Sequence, residues 1–349
     1  MYFDARITVT IYSQTTGEAQ VVQTVHSVHV KNDSKEIGSS CDIMVPLNCR
    51  INYAAAPNTF LTKNVKVLFS SGDKVTVTAR YQGMPDIQVF AGFIYEFMEG
   101  TPMKLRCLDN IYLLNQTTVN LSYQSVTLRN LINKILTGTG VTLVEPTIDL
   151  TLQNITFRLM SPASILEWFK KELGLNISLT GNNLYCNIAS NTVNIATLNT
   201  GRNVITSNLQ KPEALYLKLK VKAWFIQENG KKTSLEVGDT NGELREVFFY
   251  KIPYNVAKYT QLAQQALIKY KQMKFSGDVE TYLYPDMGLF WKVQYTDLRY
   301  PDRNGNYTVV GMNFEINEKG YHRKIKLAYL SDIDSSVDAL ASNTVNMTP

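Results

Sequence analysis

The sequence lacks the features that mark several large classes of protein. Its 349 residues contain no apolar run of the roughly 18 residues that a membrane span needs, which predicts no membrane-spanning helix. The first residues show no charged segment followed by an apolar core, so we expect no signal peptide and folding in a cytoplasm. A hydrophobic fraction of 44% and a charged fraction of 19% nevertheless indicate a folded chain.

Histidine and cysteine are scarce, with three and four residues respectively. The cysteines form no C-x-x-C pair, and such scatter predicts small buried apolar side chains at Cys41, Cys49, Cys107 and Cys186. His26 and His29 lie three apart on a predicted alternating strand, which places them on opposite faces. His322 has no cysteine or carboxylate at ligand spacing. We therefore predict neither a metal site nor a cofactor site.

Positive charge is not concentrated in any segment. Lys and Arg number 35 against 30 Asp and Glu, whereas a dedicated DNA-binding domain has a denser basic footprint. The clearest regular basic pattern is Lys218, Lys220 and Lys222, which share one face of a predicted strand. Two interpretations stay open: a basic stripe that faces a lumen or a partner, and an ordinary solvated strand face.

Signatures of catalysis are missing as well. There is no G-x-S-x-G elbow, and no cysteine has the local context of a protease nucleophile. The pairs Glu96 with Glu99 and Asp297 with Asp302 have the composition that a glycosidase needs, without any further sign of one. We predict a protein that is not an enzyme and has no catalytic residues.

The pattern of apolar residues predicts the α+β class with mainly β structure. Residues 1–115 alternate in about six short strands, one of them over 21–30, which is typical of a small barrel or sandwich. Residues 116–200 form a small α/β module, and strands return over 201–335. The last residues, 336–349, are small and polar and predict a flexible tail.

Three helices are predicted from apolar spacing and capping residues. The first covers residues 123–136, with Ser125 and Thr127 as candidate N-caps. The second begins at Ser161, where a serine cap precedes proline, and stops at Gly174. The third covers residues 256–273 and is inserted in the last region of strands.

Three groups of segments carry a family resemblance. They are residues 72–77, 90–95 and 105–109; residues 161–168; and residues 275–278, 285–288, 307–310 and 320–325. Their order and turn residues resemble the central hub family of phage tails and baseplates, which includes late-control protein D and the hub part of type VI secretion spikes. The chain departs from the family at residues 287–289, where the usual glycine-aspartate is absent. It also lacks the long spike of the secretion relatives, so we expect a separate spike protein.

The resemblance implies a fold, partners and a role. The fold would be two tube-like antiparallel β-barrel domains, residues 1–115 and 201–335, that flank the α/β module. Such hubs are homotrimers whose six barrels imitate a six-fold ring between a tail tube and a three-fold spike or tip. The implied partners are the tail tube protein, the spike or tip protein and other baseplate subunits, with transient contact to DNA or a tape-measure protein in the lumen. The implied location is the virion tail, assembled in a host bacterial cytoplasm.

The sequence is also compatible with two other functions. One is a tail-tip or distal-tail protein that binds a host surface or carbohydrate, which a pocket lined by exposed aromatic side chains would support. The other is a cell-wall hydrolase, which a convergent pair of buried acids would support.

Overall fold

The protein is described here from a computed structural model. The structure describes residues 5–14, 17–53, 55–144, 150–187, 194–210, 218–227, 230–274, 276–317, 320–329 and 346–348. Strands dominate, most of them in antiparallel pairs, and helices are few. The predicted class, α+β with mainly β structure, is confirmed.

Short strands follow one another through most of the described chain. The strands are β1 (Ala5–Tyr12), β2 (Ala19–Val22), β3 (Ser27–Asp33), β4 (Ser40–Val45), β5 (Asn48–Tyr53), β6 (Ala56–Asn64), β7 (Lys74–Tyr81), β8 (Ile87–Met98), β9 (Met103–Leu108), β10 (Val119–Thr127), β11 (Thr142–Val144), β12 (Thr151–Met160), β13 (Asn176–Thr180), β14 (Asn183–Asn187), β15 (Ile195–Asn199), β16 (Val204–Ser207), β17 (Leu219–Ile226), β18 (Lys232–Gly238), β19 (Glu243–Tyr250), β20 (Ser276–Thr281), β21 (Lys292–Thr296), β22 (Gly305–Asn317), β23 (Gly320–Tyr329) and β24 (Asn346–Thr348). The helices are α1 (Val65–Leu68), α2 (Ile111–Asn115), α3 (Leu128–Leu136), α4 (Pro162–Glu172) and α5 (Val256–Lys274).

One sheet of 15 strands runs through the first and last regions of the chain. Its path is β16-β20-β23-β22-β3-β4-β9-β8-β7-β1-β2-β5-β6, and β21 joins β15 to β22 beside that path. The two regions meet where β22 pairs with β3, from Gly311 opposite Asp33 to Ile316 opposite Val28. Hydrogen bonds therefore connect the two regions in which separate barrels were predicted, and closure of each region as a barrel stays a prediction.

Two hydrophobic cores belong to this sheet. The larger one gathers inward residues of the first region, such as Ile11, Ile43 and Ile94, together with Phe314 and Ile316 of β22. The smaller core is formed by β15 and by β20 to β23 with their connections. Because β22 contributes to both cores, it ties the first region to the last.

Within the first core region, β8 and β9 approach each other unusually closely at Gly92. A Cβ atom built at Gly92 would lie 2.2 Å from the backbone oxygen of Leu108. Only glycine fits such an approach without a shift of the backbone.

A third core combines residues from two of the predicted domains. It combines α3, α4 and the β11-β14-β13 sheet with residues 219–267, which were expected to belong to the second barrel. Phe225 of β17 stacks on Tyr259 of α5 with ring centroids 3.6 Å apart, and on Phe249 of β19 at 5.1 Å. The physical reason is that β17 and α5 bury their apolar sides against each other, and the core they form is continuous with that of the module. The β15 strand was expected to belong to the module, but it pairs with β21 in the large sheet.

The helix predictions hold for α4 and α5 and are partly wrong for α3. The Ser161 side chain accepts a hydrogen bond from the Ser164 amide, with Pro162 in the first turn, as predicted. Thr127 caps α3 by accepting from the Asn130 amide. Residues 123–127 are strand, because they pair with β12, so the predicted helix began too early. The predicted strand over 21–30 is likewise interrupted between β2 and β3.

The end of the chain is only partly described. Asn346–Thr348 form β24, which pairs with β18 from Glu236 to Ser234. The rest of the predicted flexible tail lies outside the described residues, apart from this short strand. Among the described helices, none is both long and apolar enough to cross a membrane.

Candidate interaction surfaces

The 15-stranded sheet presents a polar face to solvent. Along β3, Val28 and Val30 are buried while His29 between them is exposed. Along β22, Phe314 and Ile316 are buried while Glu315 is exposed. Successive side chains of a strand point to opposite faces, so outward side chains of adjacent strands form rows across the sheet.

One such row crosses the junction of the two regions. Glu315 lies opposite His322 of β23 and opposite His29 of β3. His29 lies opposite Asp42 of β4, Asp42 opposite Arg106 of β9, and Arg106 opposite Glu96 of β8. We call these six residues the charged row: His322, Glu315, His29, Asp42, Arg106 and Glu96.

The charged row carries both signs of charge. Arg106 lies 2.8 Å from Glu96 and 3.9 Å from Asp42, and Lys104 lies 3.2 Å from Asp42. Exposed pairs of this kind contribute about 0–1 kcal/mol each, so they organise the surface more than they stabilise the fold. The mixture of signs prevents a strong field of one sign.

A polar cleft of about 470 Å³ lies at the β20 end of the charged row. There His322 Nδ1 lies 2.8 Å from Glu280 Oε1, and this hydrogen bond lowers the pKa of Glu280. Lys324 lies 2.9 Å from Asp278 in the same cleft. Sequence spacing missed the carboxylates near His322 because Glu280 and Glu315 belong to other strands.

The predicted placement of His26 and His29 on opposite faces of one strand is wrong in its geometry. His26 is exposed and precedes β3, so the expected alternation between it and His29 does not apply. In the described ranges, no group of three or more His, Cys, Asp or Glu side chains is arranged to hold a metal ion.

The predicted lysine stripe is partly neutralised. Lys220 and Lys222 point from β17 toward Glu236 of β18, at 2.6 and 3.8 Å. The hydrogen bond from Lys220, with the charges of both lysines, lowers the pKa of Glu236. Lys222 also lies 4.6 Å from the centre of the Trp224 ring. Lys218 precedes β17 and is exposed.

The acidic pairs considered for catalysis make structural contacts. Glu96 pairs with Arg106, and Glu99 pairs with Lys66. The Asp297 side chain accepts hydrogen bonds from the backbone amides of Arg299 and Tyr300, which shapes the turn before the 3₁₀ helix that contains Asp302.

The four cysteines are free and buried, as predicted. Cys41 and Cys107 lie opposite each other in the β4–β9 ladder. Burial raises the pKa of both thiols and raises that of Cys186 to about 12. Thiols in such apolar surroundings are poor nucleophiles.

Solved structures of other proteins have a fold similar to that of this chain. A tail protein from Neisseria meningitidis aligns over 93% of this chain and 96% of its own, with a TM-score of 0.63 and 14% identity. The 43 kDa tail protein of prophage MuSo2 from Shewanella oneidensis aligns over 93% and 98%, with a TM-score of 0.64 and 12% identity. The fold is that of phage tail proteins.

A secretion-system protein has a similar fold. A component of the Escherichia coli type VI secretion system, described as similar to the T4 tail proteins gp27 and gp5, aligns over 93% of this chain and 77% of its own. Its TM-score is 0.56 at 11% identity. No family model matches the sequence, and no curated protein matches it. The hub-like fold that the resemblance implied is confirmed, while function is a separate question at these identities.

Proposed function

We propose that the chain is a structural subunit of a phage or phage-like tail: the central hub that adapts a six-fold tail tube to a three-fold spike or tip. Its location would be the virion tail, after assembly in the host cytoplasm, and its role would be structural and not catalytic. The observation that carries the proposal is the tail-protein fold over 93% of the chain. The continuous 15-stranded sheet supports it.

The sheet suggests how a ring would close. Its path ends at β16 on one side and at β6 on the other, and in the described residues each of these strands pairs with one neighbour along the path. Exposed apolar side chains lie on both end strands, at Ile205 and Phe60. Two different edges on one subunit suit a head-to-tail contact, which closes into a ring when the rotation fits. A homotrimer would then contain six barrel regions.

The polar face of the sheet would line the lumen. The charged row mixes signs, so it would neither bind a passing polyanion tightly nor repel it. DNA or a tape-measure protein would contact it only transiently. The stripe of Lys218, Lys220 and Lys222 is a second proposed surface, for the lumen or a partner, with part of its charge compensated by Glu236. The tail tube, the spike or tip and other baseplate subunits are the proposed partners.

Native mass spectrometry tests the ring contact. We expect a mass of three times the 39.5 kDa of one chain. Ile205→Lys would place a charge in the proposed contact and should release folded monomers, whereas Leu244→Lys, at an exposed position on β19, should leave the trimer intact. A stable wild-type monomer that binds neither tail tube nor spike protein would overturn the proposal.

A further inference from the structure

Five lysines from separate parts of the chain surround one half-open cleft of about 490 Å³. We call it the basic cleft, and its lysines are Lys35, Lys170, Lys171, Lys269 and Lys326. They come from the turn after β3, from α4, from α5 and from β23. Two carboxylates, Asp33 and Glu167, also line it, so the charge is five minus two, or +3.

Lys170 is the most buried of these lysines, with 9% of its surface exposed. Its Nζ donates to the backbone oxygens of Glu36, at 2.8 Å, and Ile177, at 3.4 Å. The Glu36 side chain pairs with Lys31, and the carboxylates of Glu167 and Asp33 act on Lys170 through their charge. A buried charge that donates its hydrogen bonds to neutral groups is costly, and an added anion would offset that cost.

Burial and nearby charges both act on the pKa of Lys170. Burial is the main cause that lowers the pKa of Lys170 to about 8; the charge of Glu167 opposes this change, that of Lys269 adds to it, and those of Asp33 and Glu36 oppose it. Burial also lowers the pKa of Lys269. Burial removes water from both of these neighbouring ammonium groups, so an anion bound beside them would replace part of the lost hydration.

The rest of the cleft limits the size and character of the ligand. Phe290 and Val310 give it an apolar wall. A volume of about 490 Å³ holds a small molecule or a few side chains, and not a folded domain. Ammonium groups on flexible stems bind carboxylate and phosphate oxygens as point charges.

We propose that the basic cleft is a binding site for an oxyanion, either a free phosphate or the carboxylates of an acidic segment, held by Lys170 and Lys269. The proposal does not depend on the hub function. A bound oxyanion would join the α4–α5 side of the cleft to the turn after β3 and to β23.

Isothermal titration calorimetry and thermal unfolding of the full chain at constant ionic strength test this proposal. The probes are inorganic phosphate and a tetraglutamate peptide. We expect saturable binding and a rise of several degrees in Tm for at least one probe, because a ligand that binds only the folded state stabilises it. Binding should weaken at least tenfold in Lys170→Met and in Lys269→Met, and stay unchanged in the exposed control Lys232→Met.

Each outcome of the experiment separates the alternatives. Binding of phosphate alone supports a free oxyanion as the ligand, and binding of the peptide alone supports carboxylates from a protein. Because Lys269 is only half-buried, Lys269→Met repeats the test if Lys170→Met does not fold. Absence of binding by both probes, or equal binding by wild type and both variants, would overturn the proposal.

Discussion

Two groups of lysines illustrate how differently one protein can treat positive charge. On β17, Lys220 and Lys222 share the carboxylate of Glu236, and Lys222 also covers the Trp224 ring. In the basic cleft, Lys170 donates hydrogen bonds to two backbone oxygens of the described chain, and Lys269 lines the same cleft. The first group is compensated within the chain, whereas the second leaves charge that an external anion can compensate.

Both groups lie on elements that also bury an aromatic residue. Phe225 follows the stripe on β17 and is 1% exposed, and Phe169 precedes Lys170 on α4 and is fully buried. The geometry of each lysine group therefore depends on a core contact, but only the cleft gathers charge from several distant segments. Substitutions can separate these contributions.

The largest effect should follow loss of the aromatic support. We expect Phe169→Ala and Phe225→Ala each to lower the free energy of unfolding by about 3–5 kcal/mol, because each leaves a cavity in the third core. Urea denaturation measures both. We also expect Phe169→Ala to weaken phosphate or peptide binding to the basic cleft, and Phe225→Ala to affect that binding less. Equal loss of binding would mean that the cleft depends on the whole core.

Removing the buried charge should have the next largest effect. With the pKa of Lys170 near 8 in the folded state and near 10.5 when unfolded, charging this group costs about 3 kcal/mol at pH 7. Methionine would leave the carbonyl groups of Glu36 and Ile177 without this donor, which costs the variant about 1 kcal/mol for each. We therefore expect Lys170→Met to raise the free energy of unfolding by about 1–2 kcal/mol in buffer without anions, measured by urea denaturation.

The pH dependence of that difference provides a separate check. Between about pH 8 and 10.5 the unfolded chain keeps the Lys170 proton while the folded chain has released it. Wild-type stability should rise through this window relative to Lys170→Met, so the advantage of the variant shrinks. A difference that stays constant from pH 7 to 9.5 would contradict the burial of an uncompensated ammonium group.

Glu236→Gln should leave the positive charge of the lysine stripe less compensated, which would make the stripe resemble the basic cleft. Loss of the carboxylate removes two half-buried surface ion pairs, which together contribute about 1 kcal/mol. The wild-type contribution is present above the unfolded pKa of Glu236 and is lost as the pH falls through its lowered folded pKa. We expect later elution from heparin at pH 7 than for wild type. Unchanged elution would show that Glu236 does not mask the stripe.

The smallest effect belongs to a single stripe lysine. Lys222→Ala removes the 3.8 Å pair with Glu236 and the contact with Trp224, which should cost under about 1 kcal/mol in urea denaturation. The variant Lys292→Ala, at an exposed position on β21, is a suitable control. A cost of several kcal/mol would show that the stripe has a structural role.

Local signals predicted the local elements well. The Ser161-Pro162 start of α4 and the apolar spacing of α5 depend on neighbours in sequence, and the structure has both helices. Thr127 was recognised as a cap, but residues 123–127 pair with β12 and are strand. Pairing with a strand about 30 residues later overrides helical spacing, and no pattern within the segment reveals it.

The features that the sequence did not predict depend on contacts between distant parts of the chain. The ladder between β3 and β22 joins residues near 30 to residues near 314, so the continuous sheet and the charged row were not visible in advance. The basic cleft needs lysines from four parts of the chain that lie far apart in sequence. The stripe was visible because its lysines alternate on one strand, but its compensation by Glu236 depends on the turn back to β18.

The central claim is that three copies of this chain form a hub ring, and electron cryomicroscopy of the purified assembly tests it most directly. We predict a three-fold ring in which the β16 edge of one chain meets the β6 edge of the next, with the charged row on the inner wall. Particles with a different number of subunits, or a ring with the charged row on its outer surface, would contradict the account.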